Sequence, residues 1–252
     1  MAVIKKKLFG VDYSLTDYEK ASQLIVDCGL KHISYGVSAL AVHGLIESYR
    51  NPVLLEKVNK IDLVVPDGQP IRWALNFFHK AKLKDRVYGP QLTLDVLKYA
   101  NEKKMKLYLF GSSEETLRKF SSNINTWFPQ IIICGVHTDR FRDATSAEDE
   151  ADIQKINTSG ANIVLVGRGC PRQEVWVSDH LGKVNAAMMA VGAAFDFHAG
   201  VVKQAPQWMQ RSGFEWLYRL IKEPRRLWKR YLITNSIFIF LVIRKLIFPK
   251  WV

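Results

Sequence analysis

Four loops of this 252-residue sequence concentrate the side chains able to do chemistry. Pro66-Asp67-Gly68-Gln69-Pro70 offers a carboxylate just past an apolar run, and Phe110-Gly111-Ser112-Ser113 offers backbone N–H groups and hydroxyls. Gly167-Arg168-Gly169-Cys170-Pro171-Arg172-Gln173-Glu174 combines glycines, cations, an amide and a carboxylate, while Asp196 stands among Phe195, Phe197 and His198. Asp67 could take a proton from an attacking hydroxyl, the general-base role. The tripeptide alone fits a turn aspartate bonding its own backbone better. Gly111 and Ser112, and again Gly167 and Gly169 ahead of Pro171, could present N–H groups to a diphosphate at a helix N-terminus. Ordinary strand-to-helix turns explain each loop equally well. Neither loop has the spacing of a dinucleotide fingerprint or a P-loop. The aromatic neighbours of Asp196 either raise its pKa or bury it as a structural carboxylate. With no Asp-x-Asp and no histidine pair at metal-ligand spacing, neither a bound metal nor a cofactor is expected.

These loops need elements to hold them. Apolar runs of strand length fall at 31–35, 61–65, 106–110, 130–134, 162–166 and 186–191, separated by segments of helical period. Thr16-Asp-Tyr-Glu19 and Ser146-Ala-Glu-Asp149 read as helix starts, a hydroxyl preceding an acid by three residues. Strand–helix alternation predicts a Rossmann-like α/β fold, a mostly parallel sheet with helices on both faces. In such folds ligands sit beyond the carboxyl ends of the strands, where all four loops fall.

Composition divides the chain. Hydrophobic residues make up 48% and charged residues 24%, which excludes disordered, collagenous and disulfide-scaffold classes. Cys28, Cys134 and Cys170 are too scattered for a disulfide framework or a thiolate zinc site. No signal-peptide core follows Lys5-Lys6-Lys7, and no run reaches the roughly 18–20 apolar residues of a membrane span, so an intracellular protein is expected. Residues 203–252 hold eleven basic and two acidic side chains, +9 of the net +12, and four of the seven tryptophans (Trp208, Trp216, Trp228 and Trp251). The expected organisation is an α/β body over 1–202 and a basic helical appendage over 203–252, suited to an anionic partner. Arg219, Lys222, Arg226 and Arg230 recur at three- and four-residue spacing, and Pro224 divides the appendage into two helices. The apolar stretch from Leu232 to Ile243 would span only about 18 Å as a helix. An interfacial or partner-packing helix therefore fits better than a span, with packing on the protein's own body as the ordinary alternative.

Taken in order, these motifs resemble one family. Pro66-Asp67-Gly68, Arg86-Val-Tyr-Gly89-Pro90, Gly167-Arg-Gly169-Cys-Pro171-Arg-Gln173-Glu174 and Gly192-Ala-Ala-Phe195-Asp196 look like the WecG/TagA/CpsF glycosyltransferases, glycosyltransferase family 26. Gly200-Val-Val-Lys203-Gln-Ala205-Pro206-Gln-Trp208, Glu215-Trp216-Leu-Tyr-Arg219 and Glu223-Pro224-Arg225-Arg226 continue the match, which covers roughly residues 8 to 231. The wording around Asp67 and Phe195 is closest to the xanthan-type glucosyltransferase branch.

The resemblance implies inverting, metal-independent transfer from a UDP-sugar to a polyprenyl-diphosphate-linked sugar in cell-surface or exopolysaccharide biosynthesis. It places the enzyme peripherally on the cytoplasmic face of the inner membrane. It makes Asp67 the base and Gln173 a donor contact; Ser34, Gly111, Ser112, Gly167, Gly169, Glu174 and Asp196 are expected beside Gln173 at the donor. Arg86, Arg219, Arg225, Arg226 and Arg230 fall to the acceptor diphosphate, with Lys229 an alternative to Arg230 as third cation. Two positions depart from the pattern. Thr-x-Asn reads Ser34-Tyr35-Gly36, keeping the hydroxyl and losing the amide, and Gly-x-Asp reads Gly89-Pro90-Gln91, losing a carboxylate. An inactive membrane scaffold of the same fold is the alternative, which Asp67, Gln173 and Arg219 argue against. Nucleic-acid binding through the tail suits the apolar 232–243 segment less well than lipid does. A homo-oligomer is compatible with the sequence.

Overall fold

The computed structural model describes residues 3–248, so Trp251 lies outside the described residues. The chain opens with an antiparallel hairpin, β1 (Lys5–Leu8) and β2 (Val11–Ser14), turning through Phe9 and Gly10. The first half of the body continues with α1 (Tyr18–Leu30), β3 (Tyr35–Leu40), α2 (Val42–Arg50), α3 (Pro52–Lys60), β4 (Leu63–Pro66), α4 (Gln69–His79) and α5 (Gly89–Glu102). The second half adds β5 (Lys106–Gly111), α6 (Glu114–Trp127), β6 (Ile132–His137), α7 (Ser146–Ser159), β7 (Ile163–Gly167), α8 (Arg172–Asp179), β8 (Ala187–Ala190) and α9 (Ala194–His198). Three helices end the described chain: α10 (Gln207–Arg211), α11 (Glu215–Lys222) and α12 (Pro224–Ile247).

Six strands form one parallel sheet in the order β4-β3-β8-β7-β5-β6. Successive strand residues point to opposite faces, and both faces are covered. Val64, Tyr108, Phe110, Val164, Val166 and Met188 pack with the hairpin and with α2, α3, α4 and α8. Leu63, Val65, Leu107, Leu109, Leu165 and Met189 pack with α1, α5, α6 and α9. The expected Rossmann-like architecture is therefore the observed one, with all six anticipated strands present. The hairpin is an addition: Lys5, Lys6 and Lys7 expose their side chains and read in the sequence as a charge run, while Leu8, Phe9, Val11, Tyr13 and Ser14 are buried. Tyr13 ties it to the sheet by donating to the carbonyl of Leu40 at 3.2 Å.

Both helix starts are present one residue from where a hydroxyl–acid pattern puts them. Asp17, not Thr16, caps α1 by accepting from Lys20 N. Thr145, not Ser146, caps α7 in a reciprocal capping box with Glu148. One register differs more. The first strand of the large sheet begins at Tyr35, where the sequence reading ends it, which places Ser34 at the strand's amino end.

Pro224 stands in the first turn of α12, where its missing N–H breaks no helical bond. The helix then runs unbroken for 24 residues, and among the described residues no helix is long and apolar enough to cross a membrane. Its inner face packs on the body. Leu227, Phe238 and Leu241 are buried, and Phe238 meets the ring of Phe9 edge-on at 6.0 Å. Trp228, Leu232, Ile239, Phe240, Ile243 and Leu246 remain exposed on the same helix. Truncating Phe238 to alanine should cost about 3 kcal/mol of unfolding free energy through lost burial and the cavity left behind. Chemical denaturation measures it; an unchanged midpoint would mean that α12 does not rely on this anchor.

Candidate active site

The site is assembled where β4 delivers its last residues to solvent. After the fully buried Leu63–Pro66, the chain turns at Gly68, whose φ of +103° is one a side chain rarely adopts, and enters α4. Asp67 is left at the strand tip, its Oδ2 accepting from Gly89 N at 3.3 Å. Burial pushes its carboxyl up most, Arg86 pulls it down, Glu215 pushes it up again, and Gly89 N–H and Arg219 pull down; the balance is about 7. A carboxylate poised there is a proton acceptor matched to neutral conditions.

Arg86 and Glu215 are themselves buried and paired, Nη2 to Oε2 at 2.7 Å. Tyr88 OH donates to the other oxygen of Glu215 at 2.7 Å, and the Arg86 guanidinium lies 4.1 Å over the Tyr88 ring. Arg86 also donates to Gln210 at 3.3 Å. The sequence reading groups Arg86 with the diphosphate contacts. Here its guanidinium binds Glu215 and Gln210, tying α10 and α11 to the body next to Asp67, and it also lines the second cavity described below.

A cavity of about 220 Å³ extends from Asp67 across the carboxyl ends of β3, β8, β7 and β5. Ser112, Gly167, Gly169, Gln173, Glu174 and Asp196 all line it, as the four loops predict. Gln173 Nε2 donates to Glu174 Oε1 at 2.9 Å, and Ser38 Oγ donates to the same oxygen at 3.1 Å. Gln173 Oε1 and Glu174 Oε2 are buried without a hydrogen-bond partner, and burial raises the Glu174 carboxyl. A Cβ at Gly192 would stand 2.8 Å from Gln173 Oε1, so a glycine there is what lets the amide fill its place. Burial also raises Asp196, against the opposing pull of Arg226. Gly111 does not line the cavity. It pairs with Gly167 across β5 and β7, and a Cβ there would meet the Gly167 backbone at 2.8 Å.

Ser34 is the nominated residue furthest from this arrangement. At the amino end of β3 its Oγ accepts from Gly182 N at 2.8 Å. The hydroxyl that reaches the cavity wall through Glu174 is Ser38, four residues on, which the sequence reading missed because it set the strand too early. Gln91, read as a replaced carboxylate, is exposed and donates to Asp95 at 2.9 Å.

The appendage supplies the roof. Arg219 from α11 and Arg226 and Arg230 from α12 line the cavity, the last two sharing a helix face at i and i+4. Arg225 and Lys229, the neighbouring cations, do not line it. Arg226 pairs with Glu223, and Arg219 lies 5.6 Å from the Phe197 ring. Arg219 Nε and Arg230 Nε are buried and find no hydrogen-bond partner among the described residues. Burial, with Arg219 and Arg226 adding to it, pulls the Arg230 pKa down; the same burial and Arg230 hold His43 near 4, so its imidazole is neutral. A second cavity of about 140 Å³ adjoins the first, and Asp67, Tyr88, His43, Arg219 and Arg230 line both. Among the described residues no three carboxylate, imidazole or thiol side chains converge where a metal ion could be held.

The arrangement makes the Asp67 titration sensitive to its two charged neighbours. Followed by carboxyl ¹³C NMR, it should have its midpoint near 7. Glu215→Gln removes the upward push and should move the midpoint down; Arg86→Met removes the downward pull and should move it up. A wild-type midpoint near the ordinary aspartate value of about 3.9 would contradict the geometry.

Comparison with known proteins identifies the family. The profile of the Glycosyl transferase WecG/TagA/CpsF family matches residues 6–251, the body and the appendage together. Over 173 residues the chain is 31% identical to a Bacillus subtilis (strain 168) protein named N-acetylglucosaminyldiphosphoundecaprenol N-acetyl-beta-D-mannosaminyltransferase, covering 68% of this chain and 64% of that one. Proteins of the same name from Bacillus spizizenii and Staphylococcus aureus are each 29% identical over 188 residues, covering 74% of this chain and 70% of theirs. The chain thus spans about two thirds of the length of these relatives. On a family match that runs nearly from end to end, this chain belongs to the WecG/TagA/CpsF glycosyltransferase family.

Proposed function

We propose that this protein transfers a sugar from a UDP-sugar to a sugar carried on a polyprenyl diphosphate, working peripherally at the inner face of the cell membrane. One observation carries the reading: Asp67, Arg219 and Arg230 stand at the border of two adjoining cavities, a base and two cations facing both. The first cavity, walled by Ser112, Gly167, Gly169, Gln173 and Asp196, suits the UDP-sugar. The second, bounded by Gln69, Trp216, Tyr231 and Asn235, suits the acceptor.

The chemistry follows from those positions. The Asp67 carboxylate takes the proton of the acceptor hydroxyl as its oxygen forms a bond to the anomeric carbon. The bond from that carbon to the UDP β-phosphate oxygen breaks on the opposite face, and the electron pair leaves with UDP. Charge building on the diphosphate is met by fixed guanidiniums, with no reorganisation needed at the moment of reaction. Arginine suits this task because its fork of donors matches phosphate oxygens. A roof of α11 and α12 also keeps out water that would hydrolyse the donor. Protonation removes the base, so kcat/KM should fall as pH drops below about 7.

The relatives' names supply the first substrates to try. They describe transfer of N-acetylmannosamine to an N-acetylglucosaminyl diphosphoundecaprenol, and the resemblance of the Asp67 and Phe195 loops adds glucose as a second donor sugar. UDP release should be followed with UDP-N-acetylmannosamine, UDP-glucose and other UDP-sugars, over a detergent-dispersed polyprenyl-diphosphate-sugar acceptor. Acceptor-dependent release with one donor is expected, and Asp67→Asn should cut it by about 10²- to 10⁴-fold while the protein still folds. Near-normal turnover in that variant would remove Asp67 from the mechanism. Silence of folded wild-type protein, persisting with extracted native lipids, would favour an inactive scaffold.

A further inference from the structure

The second cavity does not end at the polar cleft. Val42, Pro70, Trp216 and Asn235 line it and also line a third space, an open groove of about 600 Å³ between α4 and α12. The groove walls are almost wholly apolar: Trp73, Phe77 and Phe78 from α4, with Ile239, Val242 and Leu246 from α12. Several of these are unusually open to solvent, Phe77 at 68% and Ile239 at 57%, although they converge on one concavity. Large apolar side chains gathered around a groove mark a site for an apolar ligand rather than a default surface.

We propose that this groove takes the first isoprene units of the acceptor's polyprenyl chain. The inference rests on the functional reading above and deepens it. The occupant is argued from continuity and charge. Starting at Arg219 and Arg230, the lining changes from cationic to apolar in one unbroken passage, which is the polarity profile of an amphiphile with an anionic head and a hydrocarbon tail. A bilayer surface would press on convex side chains and leave a concavity of this volume unfilled. Held in the groove, the tail would fix the depth of the diphosphate beneath the arginines and so set the sugar hydroxyl against Asp67. Burial of each isoprene unit also supplies affinity that the head group alone lacks.

The test uses soluble head-and-tail probes with the full chain. Titration calorimetry should find farnesyl diphosphate bound at least about ten-fold more tightly than inorganic diphosphate, with isopentenyl diphosphate between them, a ten-fold gap being about 1.4 kcal/mol. Phe77→Ser combined with Ile239→Ser, both at exposed positions, should shrink that gap below about three-fold while circular dichroism reports native helix content. Equal affinity for all three probes would overturn the groove assignment and leave the diphosphate site standing. Failure of every probe to bind would overturn the assignment together with the acceptor reading. If the double variant lost binding to anionic-lipid vesicles yet kept its preference for farnesyl diphosphate, the face would be a bilayer contact and the proposal would fail.

Discussion

Two carboxylates close enough to push on each other's charge repel, and the arrangement holds only while a cation acts on both. Asp67 and Glu215 are that pair, and Arg86 is that cation, in direct contact with Glu215 and near enough to pull on Asp67. Much of the rest depends on this triangle. Glu215 is the first residue of α11, so the ion pair that tempers Asp67 is also the bond that docks the appendage. Tyr88 closes the arrangement, giving its hydroxyl to Glu215 and its ring face to Arg86. Removing either member of such a buried pair leaves the other charge uncompensated. Position of the Asp67 carboxyl, its readiness to accept a proton and docking of α11 are thus one electrostatic problem with one solution.

The arginines pose the converse problem. Arg219, Arg226 and Arg230 converge on one cavity; Arg226 pairs with Glu223, while the buried Nε–H groups of Arg219 and Arg230 meet no acceptor among the described residues. Unpaired buried donors are costly, and like-charged neighbours add to the cost. The fold tolerates them because α12 is anchored elsewhere, through Leu227, Phe238 and Leu241 in the apolar core. Anchoring separates the helix's two tasks: one face is held by packing, and another is free to meet an anion. A diphosphate between the guanidiniums would relieve what the protein alone leaves unsatisfied.

Much of this was legible in the chain. Apolar runs place the six parallel strands because both sheet faces are buried, and the four chemical loops follow because each leaves a strand's carboxyl end. What escaped was set by distance or by register. Nothing local joins Arg86 to Glu215, 129 positions apart, so Arg86 reads as a free cation until the appendage folds back. Arg225 and Arg226 are equivalent in a run of cations; only the helix phase, fixed where Leu227 and Phe238 are buried, brings Arg226 rather than Arg225 to the rim of the cavity. Ser34 stands where the family pattern has its Thr-x-Asn hydroxyl, and nothing local points to Ser38, because the strand's start depends on pairing with β4 and β8. The β1–β2 hairpin is hidden by three exposed lysines in a four-residue strand, whose buried Leu8 alone carries no period.

The proposed transfer is a single displacement, with Asp67 on the face of the sugar opposite the diphosphate. It is tested most directly by the anomeric configuration of the product. With an α-configured UDP-sugar as donor, NMR of the newly formed disaccharide should show a β linkage, the configuration stated in the relatives' names. An α linkage would require a second nucleophile or front-face attack, and would contradict the placement of base and leaving group proposed for this cleft.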